Sequence, residues 1–290
     1  MIIFPCCKIN LGLNVVAQRT DGYHDIETVF YPVPLTDALE IKKMHEDFPS
    51  DMDCDLHVTY PADSREKKLF AELAALPQEK NLVIRAYNLL AKDFRLPRIH
   101  AHLCKRIPSQ AGLGGGSSDA AYMIRLLDER FRLNMGIAEM ERYAAQLGAD
   151  CAFFITAEPV YATGIGDILE PADDAKGNLH GYYLALVKPD VAVSTTAAYA
   201  AITPRKPRKC CRVIVRQPIA TWREELVNDF EAPVFAQYPL LAELKEALYE
   251  QGAVYAQMSG SGSALFGIFK EKPQHIAETF SNHFTAVMRL

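Results

Sequence analysis

The stretch Pro108-Ser109-Gln110-Ala111-Gly112-Leu113-Gly114-Gly115-Gly116-Ser117-Ser118 carries the clearest chemistry in the chain. Glycine enters left-handed backbone conformations without steric cost and lets an anion approach the main chain, so Gly112 and Gly114 to Gly116 can turn several N–H groups toward one point. Ser117 or Ser118 then reads as the cap of a helix with Ala120, Ala121, Ile124, Leu127 and Phe131 at helical spacing. The unpaired N–H groups and positive dipole end of that helix face back at the loop, which is the chemistry of a phosphate cradle. A plain strand-to-helix turn is the alternative, but it needs only one or two glycines, and further ones cost roughly 0.5–1 kcal/mol each. Neither familiar nucleotide motif fits. No G-x-x-x-x-G-K-[ST] occurs, and Gly112-x-Gly114-x-x runs into Ser117 where the dinucleotide fingerprint needs glycine or alanine.

Other residues have suitable types but an open reading. Asp150, in Leu147-Gly148-Ala149-Asp150, can take a proton from a hydroxyl, and can equally cap a helix or hold a salt bridge. Lys8 by itself is one lysine among many solvated ones. Tyr23 and His24, after the Gly22 turn, read as a core aromatic and a partner to backbone groups. Asn81 reads as the N-cap of a helix starting near Leu82. His100 and His102 share one side of a strand; with no further ligand nearby in sequence, a solvated strand face is favoured over a metal pair. The run Lys206-Pro207-Arg208-Lys209 with Arg212 contains proline and no interleaved aromatics, which favours a solvated loop over an anion-binding patch.

The elements that must position these residues follow from periodicity. Residues 8–16 and 26–33 read as paired strands around the Thr20-Asp21-Gly22 turn, and residues 38–43, 55–60 and 98–104 as further strands, the last feeding the glycine loop. Leu82, Ala86, Leu89 and Leu90 form a helical stripe, and residues 118–131 and 138–147 read as helices. Residues 160–163 and 182–188 read as strands, and residues 204–218 as a long polar connection. Then follow a helix marked by Leu240, Leu241, Leu244 and Leu248, strands over residues 254–258 and 264–269, and a final helix over residues 276–284. Strand-helix-strand-strand-helix-strand order suits a ferredoxin-like sandwich.

With 290 residues the chain can bury a large core in one or two domains, and two lobes are expected. Its 49% hydrophobic and 23% charged residues are those of a folded globular protein. The net charge of −5 speaks against a general nucleic-acid binder, whose affinity rests on neutralising phosphates. No apolar run approaches the roughly 20 residues that span a bilayer, and the first residues lack the features of a signal peptide, so a cytoplasmic protein without membrane partners is expected. Seven cysteines, with neighbours at Cys6-Cys7 and Cys210-Cys211 and no C-x-x-C, fit reduced thiols rather than a disulfide framework.

Lys8-Ile9-Asn10, the glycine loop and Met258-Ser259-Gly260-Ser261-Gly262 together resemble the three motifs of the GHMP kinases. Asp21-Gly22-Tyr23-His24, Leu147-Gly148-Ala149-Asp150 and Gly164-Ile165-Gly166-Asp167 extend the resemblance to the branch of that family acting on a cytidine-diphosphate-linked polyol in the non-mevalonate route to isoprenoid precursors. The resemblance implies an α+β, two-lobed fold, with an N-terminal mixed α/β domain over residues 1–158 and a C-terminal ferredoxin-like domain over residues 159–290. It implies ATP as phosphoryl donor, bound by Asn81 and the loop Pro108, Ser109, Gln110, Ala111, Gly112, Leu113, Gly114, Gly115, Gly116, Ser117 and Ser118, with Mg2+ and Ser118 as its candidate ligand. Lys8 and Asp150 then stand at the catalytic positions. Asn10 lies near the acceptor, while Tyr23, His24 and Tyr199 hold the cytosine. The Asp21-Gly22-Tyr23-His24 segment argues against a relative acting on mevalonate or homoserine, and the presence of both Lys8 and Asp150 against a nucleotide-binding protein without turnover. Cys6 and Cys7 stand where alanine is common in the family, and Ser109-Gln110 where glycine or methionine is common; neither change removes a catalytic atom.

Overall fold

Alternation decides the strand that feeds the glycine loop: in Ile99–Cys104, Ile99, Ala101 and Leu103 are buried while His102 is exposed. The computed structural model describes residues 1–60 and 78–290. In chain order the described strands are β1 (Ile2–Ile3), β2 (Cys6–Gln18), β3 (His24–Thr36), β4 (Ala38–Lys43), β5 (Cys54–Thr59), β6 (Ile99–Cys104), β7 (Val160–Thr163), β8 (Ile168–Pro171), β9 (Tyr183–Lys188), β10 (Tyr255–Met258), β11 (Leu265–Phe269) and β12 (Phe284–Arg289). Their sheets have the orders β1-β4-β6-β5, β2-β3-β7-β8 and β10-β11-β9-β12. The chain forms two compact units, each drawn from several segments. One comprises Met1–Cys7, Leu35–Ser109 and Gly114–Ala157, the other Lys8–Pro34, Gln110–Leu113 and Glu158–Leu290.

In the first unit β4 is antiparallel to β1 and β6, while β5 runs parallel to β6. The helices Leu82–Leu90 and Gly115–Phe131 pack together and bury Val83, Ile84, Tyr87, Ala120, Ala121, Ile124 and Leu127. Asn81 caps the earlier helix, its Oδ1 accepting from the Val83 N–H at 2.9 Å. The later helix starts sooner than the serines imply. Its N-cap is Gly114, at φ 70°, without a side-chain cap. The left-handed glycine makes the turn itself, so Ser117 and Ser118 fall inside the first turn rather than capping it, and the Ser118 N–H donates to Gly114 O at 2.9 Å. Gly115 and Gly116 are helical, so left-handed backbone is confined in this loop to Gln110, Gly112 and Gly114.

In the second unit β10-β11-β9-β12 is antiparallel throughout. With helices Pro239–Glu250 and Ile276–Thr279 inserted in the chain order, it is a ferredoxin-like sheet. Leu241, Leu244 and Leu248 turn inward and Leu240 outward, packing the first of these helices in a core with Val187, Met258, Leu265 and Phe269. The expected final helix over residues 276–284 stops at Thr279. Ile276, Phe280 and Phe284 are spaced like a helical stripe, but the free edge of β9 takes Phe284–Arg289 as strand β12, with Phe284 opposite Lys188. Short apolar runs fit either period, and here the sheet edge decides. Strand β8, paired with β7, gave no sequence signal. The seven cysteines are free thiols. The helices and sheets together make an α+β fold.

Candidate active site

Three distant segments meet in the second unit around the carbonyl of Gly112. Gly112 has φ 75°, and a Cβ there would lie 2.0 Å from the Ser259 carbonyl oxygen, so the residue must be glycine both for its conformation and for its contact. Lys8 Nζ and Ser259 Oγ each donate to Gly112 O at 2.9 Å. Lys8 Nζ also donates to Asn10 Oδ1 at 2.7 Å, and its backbone N–H donates to Leu113 O at 3.0 Å. Ala264 N donates to Ala111 O at 3.1 Å, tying the loop to the end of the Ser-Gly-Ser-Gly turn. Lys8 and Asn10 point to the same side of β2, two residues apart, as strand geometry requires. Both are buried, Lys8 at 4% and Asn10 at 1% exposure. A buried ammonium needs acceptors, and here an amide oxygen and a loop carbonyl supply them.

The rest of the loop belongs to the first unit, where Pro108 and Ser118 are buried, Ser109, Gly114, Gly115 and Ser117 are half-buried and Gly116 is exposed. Ser118 Oγ is buried with no hydrogen-bond partner among the described residues. A cavity of about 380 Å³ is lined by Tyr60, Asn81, Leu82, Lys105, Ser109 and Gly116, among others. Beneath it lies an ion cluster that no local pattern in the sequence marks. Lys105 Nζ is paired with Asp37 and, at 2.7 Å, with Asp119, while Asp37 Oδ1 also accepts from the Arg106 and Ile107 N–H groups. Burial works against the Lys105 charge, but the two carboxylates outweigh it and hold the ammonium above the ordinary lysine range. Asp119 is pushed upward by burial and by Asp37, with Lys105 opposing. A lysine at the end of an apolar strand, directly before a glycine loop, is the one signal that could have pointed to Lys105. Asp37 offers none.

Asp150 is half-buried in the turn between helices Ile137–Ala145 and Phe153–Thr156, the second of which has Ala152 as its N-cap. In the second unit the Asp21-Gly22 turn is closed by Asp21 Oδ1 accepting from the Tyr23 N–H at 3.0 Å, and Tyr23 is 60% exposed. His24 does not follow it outward. Its ring stacks on Tyr199 with centroids 4.9 Å apart and an interplanar angle of 22°, and Tyr199 meets Phe230 edge-on at 4.8 Å. Tyr199 sits on the helix Thr195–Ala200, capped by Ser194 Oγ accepting from Ala197 N. His100 pairs with Asp55 and His102 with Thr59, and Lys209 and Arg212 pair with Glu225 and Glu170.

Sequence comparison supplies the class to which this fold and loop belong. GHMP kinases N terminal domain matches residues 81–158 and GHMP kinases C terminal matches residues 213–286. A 4-diphosphocytidyl-2-C-methyl-D-erythritol kinase of Parabacteroides distasonis is 50% identical over 278 residues, covering 96% of this chain and 94% of the relative. A kinase of the same name from Bacteroides fragilis is 49% identical over 273 residues, covering 93% and 92%. The chain therefore belongs to the 4-diphosphocytidyl-2-C-methyl-D-erythritol kinase family of GHMP kinases. A crystal structure of 4-(cytidine 5'-diphospho)-2C-methyl-D-erythritol kinase superposes with a TM-score of 0.77 at 27% identity, covering 99% of this chain and 98% of that one.

Proposed function

We propose that the protein transfers the γ-phosphoryl group of ATP to a hydroxyl of 4-diphosphocytidyl-2-C-methyl-D-erythritol, a step of the non-mevalonate route to isoprenoid precursors. The observation that carries this reading is the buried Lys8 ammonium, held on the carbonyl of Gly112 inside the glycine loop, in a chain of this family. Phosphoryl transfer asks little covalent chemistry of a protein; it asks for positioning and for positive charge at the transferring group. Lys8 supplies that charge. Asp150 accepts the proton of the attacking hydroxyl. The loop from Pro108 to Ser118 binds the phosphates of ATP, and the cavity beside Asn81 takes its base. Asn10 belongs to the acceptor side through Lys8, and the exposed Tyr23 ring with the imidazole edge of His24, whose ring is backed by Tyr199, binds the cytosine by stacking and hydrogen bonding.

Mg2+ accompanies ATP in this reading. The ion takes oxygen ligands and keeps several waters, so it asks for few protein oxygens. Ser118 Oγ, buried and without a partner among the described residues in the first turn of its helix, fits as one of them. When bound, the ion neutralises charge on the β- and γ-phosphoryl oxygens. The test is ADP release with the cytidine-linked acceptor, with mevalonate, with homoserine and with no acceptor. Release that depends on the cytidine-linked compound supports the reading; release equal without acceptor, or with mevalonate or homoserine alone, rejects it.

A further inference from the structure

Behind Lys8 and Asn10 lies Thr28, a fully buried threonine on β3 that none of the roles above uses. Its hydroxyl donates to the carbonyl of Gly12 and accepts from Asn10 Nδ2 at 3.0 Å. A hydroxyl has one hydrogen. Gly12 O is purely an acceptor, so that hydrogen is committed, and Thr28 can offer Asn10 only lone pairs. Asn10 must therefore turn its NH2 toward Thr28 and its Oδ1 toward Lys8, where Lys8 Nζ donates at 2.7 Å. An amide with its ends exchanged would put NH2 against an ammonium and a carbonyl against a hydroxyl whose hydrogen is already spent. Gly12 is itself anchored, its N–H donating to Gln257 Oε1 at 2.9 Å. The chain of polarity thus runs from a fixed backbone carbonyl through Thr28 and Asn10 to the lysine.

We propose that Thr28 is a positioning residue for phosphoryl transfer: it sets the orientation of the Asn10 amide and through it the place of the Lys8 ammonium. The inference rests on the role proposed for Lys8, and it predicts an effect on turnover rather than on ATP or acceptor binding, because Thr28 is fully buried and its hydroxyl is engaged by Gly12 and Asn10. Misplacement of a group acting at the transferring phosphoryl costs up to ~10²-fold in rate.

The test compares Thr28→Val, which keeps the branched shape and removes the hydroxyl, with Thr28→Ser, which keeps the hydroxyl and removes the methyl. Thr28→Val is expected to lower kcat by roughly tenfold to 10²-fold with both KM values within about twofold, and Thr28→Ser to retain most of kcat although it loses packing. A purely structural residue gives the opposite order, or moves kcat and KM together. In an Asn10→Asp background, where both oxygens are acceptors and the orientation no longer matters, Thr28→Val should add little further loss. Should Thr28→Val not fold, Thr28→Ala takes its place in the same comparison. The Asn10 side-chain amide provides a readout independent of turnover: by nitrogen-15 NMR its NH2 should be slow to exchange in the wild type and Thr28→Ser, and fast in Thr28→Val. Unchanged kcat and unchanged amide exchange in Thr28→Val overturn the inference. A wild type that turns over no cytidine-linked acceptor, yet shows the protected amide, instead overturns the proposed function and leaves the Thr28–Asn10 coupling standing.

Discussion

Replacing Gly112 by alanine tests the central claim that the glycine loop is set by close contact with the Ser259 turn. Two independent costs apply. An L-residue held at φ 75° is in the left-handed region, which costs about 1–2 kcal/mol. The new Cβ would stand 2.0 Å from the Ser259 carbonyl oxygen, so backbone must part from backbone by about an ångström, and overpacking of this kind costs about 1–3 kcal/mol. The sum, about 2–5 kcal/mol, is a large share of the roughly 5–15 kcal/mol by which domains are stable. The same displacement pulls Gly112 O from Lys8 and Ser259, so activity should fall further than stability. Gly116→Ala is the control, because Gly116 is helical and, among the described residues, its Cβ would meet only Leu82 Cδ1 at 3.8 Å. That change should leave the fold intact or stabilise it by up to ~1 kcal/mol. Denaturant titration of both variants, with calorimetric ATP binding and kcat, decides the matter. A Gly112→Ala protein with wild-type stability, ATP affinity and turnover would refute the argument.

Asp150→Asn keeps the shape and removes the proposed proton acceptor, so kcat should fall by about 10²–10⁴-fold while calorimetric ATP affinity is unchanged; near-normal turnover in a folded variant removes Asp150 from the role of base. Tyr23→Ala should raise the acceptor KM by the ~1–3 kcal/mol typical of an aromatic stack on a base and spare the KM for ATP; equal changes in both would point to general damage. Asp119 has its pKa raised in the folded state by burial, so between the ordinary carboxylate range near pH 4 and its folded value the native protein holds a proton that the unfolded chain has released. Stability from this group is therefore full below about pH 4 and falls as pH rises toward the folded value. Asp119→Asn should flatten that part of the melting temperature against pH, and an identical slope in wild type and variant would show that Asp119 is not the group responsible.

The parts legible in the sequence are local. A glycine run before an apolar stripe, alternation over β6, the helical spacing of Leu241, Leu244 and Leu248, and the Asn81 cap each depend on residues within a turn or two of one another. Backbone geometry turns such spacings directly into faces and ends. The family motifs at Lys8-Ile9-Asn10 and Ser259-Gly260-Ser261-Gly262 were recognisable for the same reason, and the structure brings both onto the carbonyl of Gly112.

Tertiary structure decided what depends on a partner far along the chain. Ser259 lies 147 residues from Gly112, and Lys105 lies 68 residues from Asp37. A charged residue in isolation reads as solvated; only the assembled first unit shows that Lys105, Asp37 and Asp119 are buried and compensate one another. The helix start moved to Gly115 because Gly114 makes the left-handed turn unaided, and Phe284–Arg289 became a strand because β9 had an edge to fill. Gln110, not a glycine, adopts φ 51°, a strain that composition does not announce. Nor does sequence spacing orient an amide. Asn10 faces Lys8 with its oxygen because Thr28, on the neighbouring strand, has already spent its only hydrogen on Gly12.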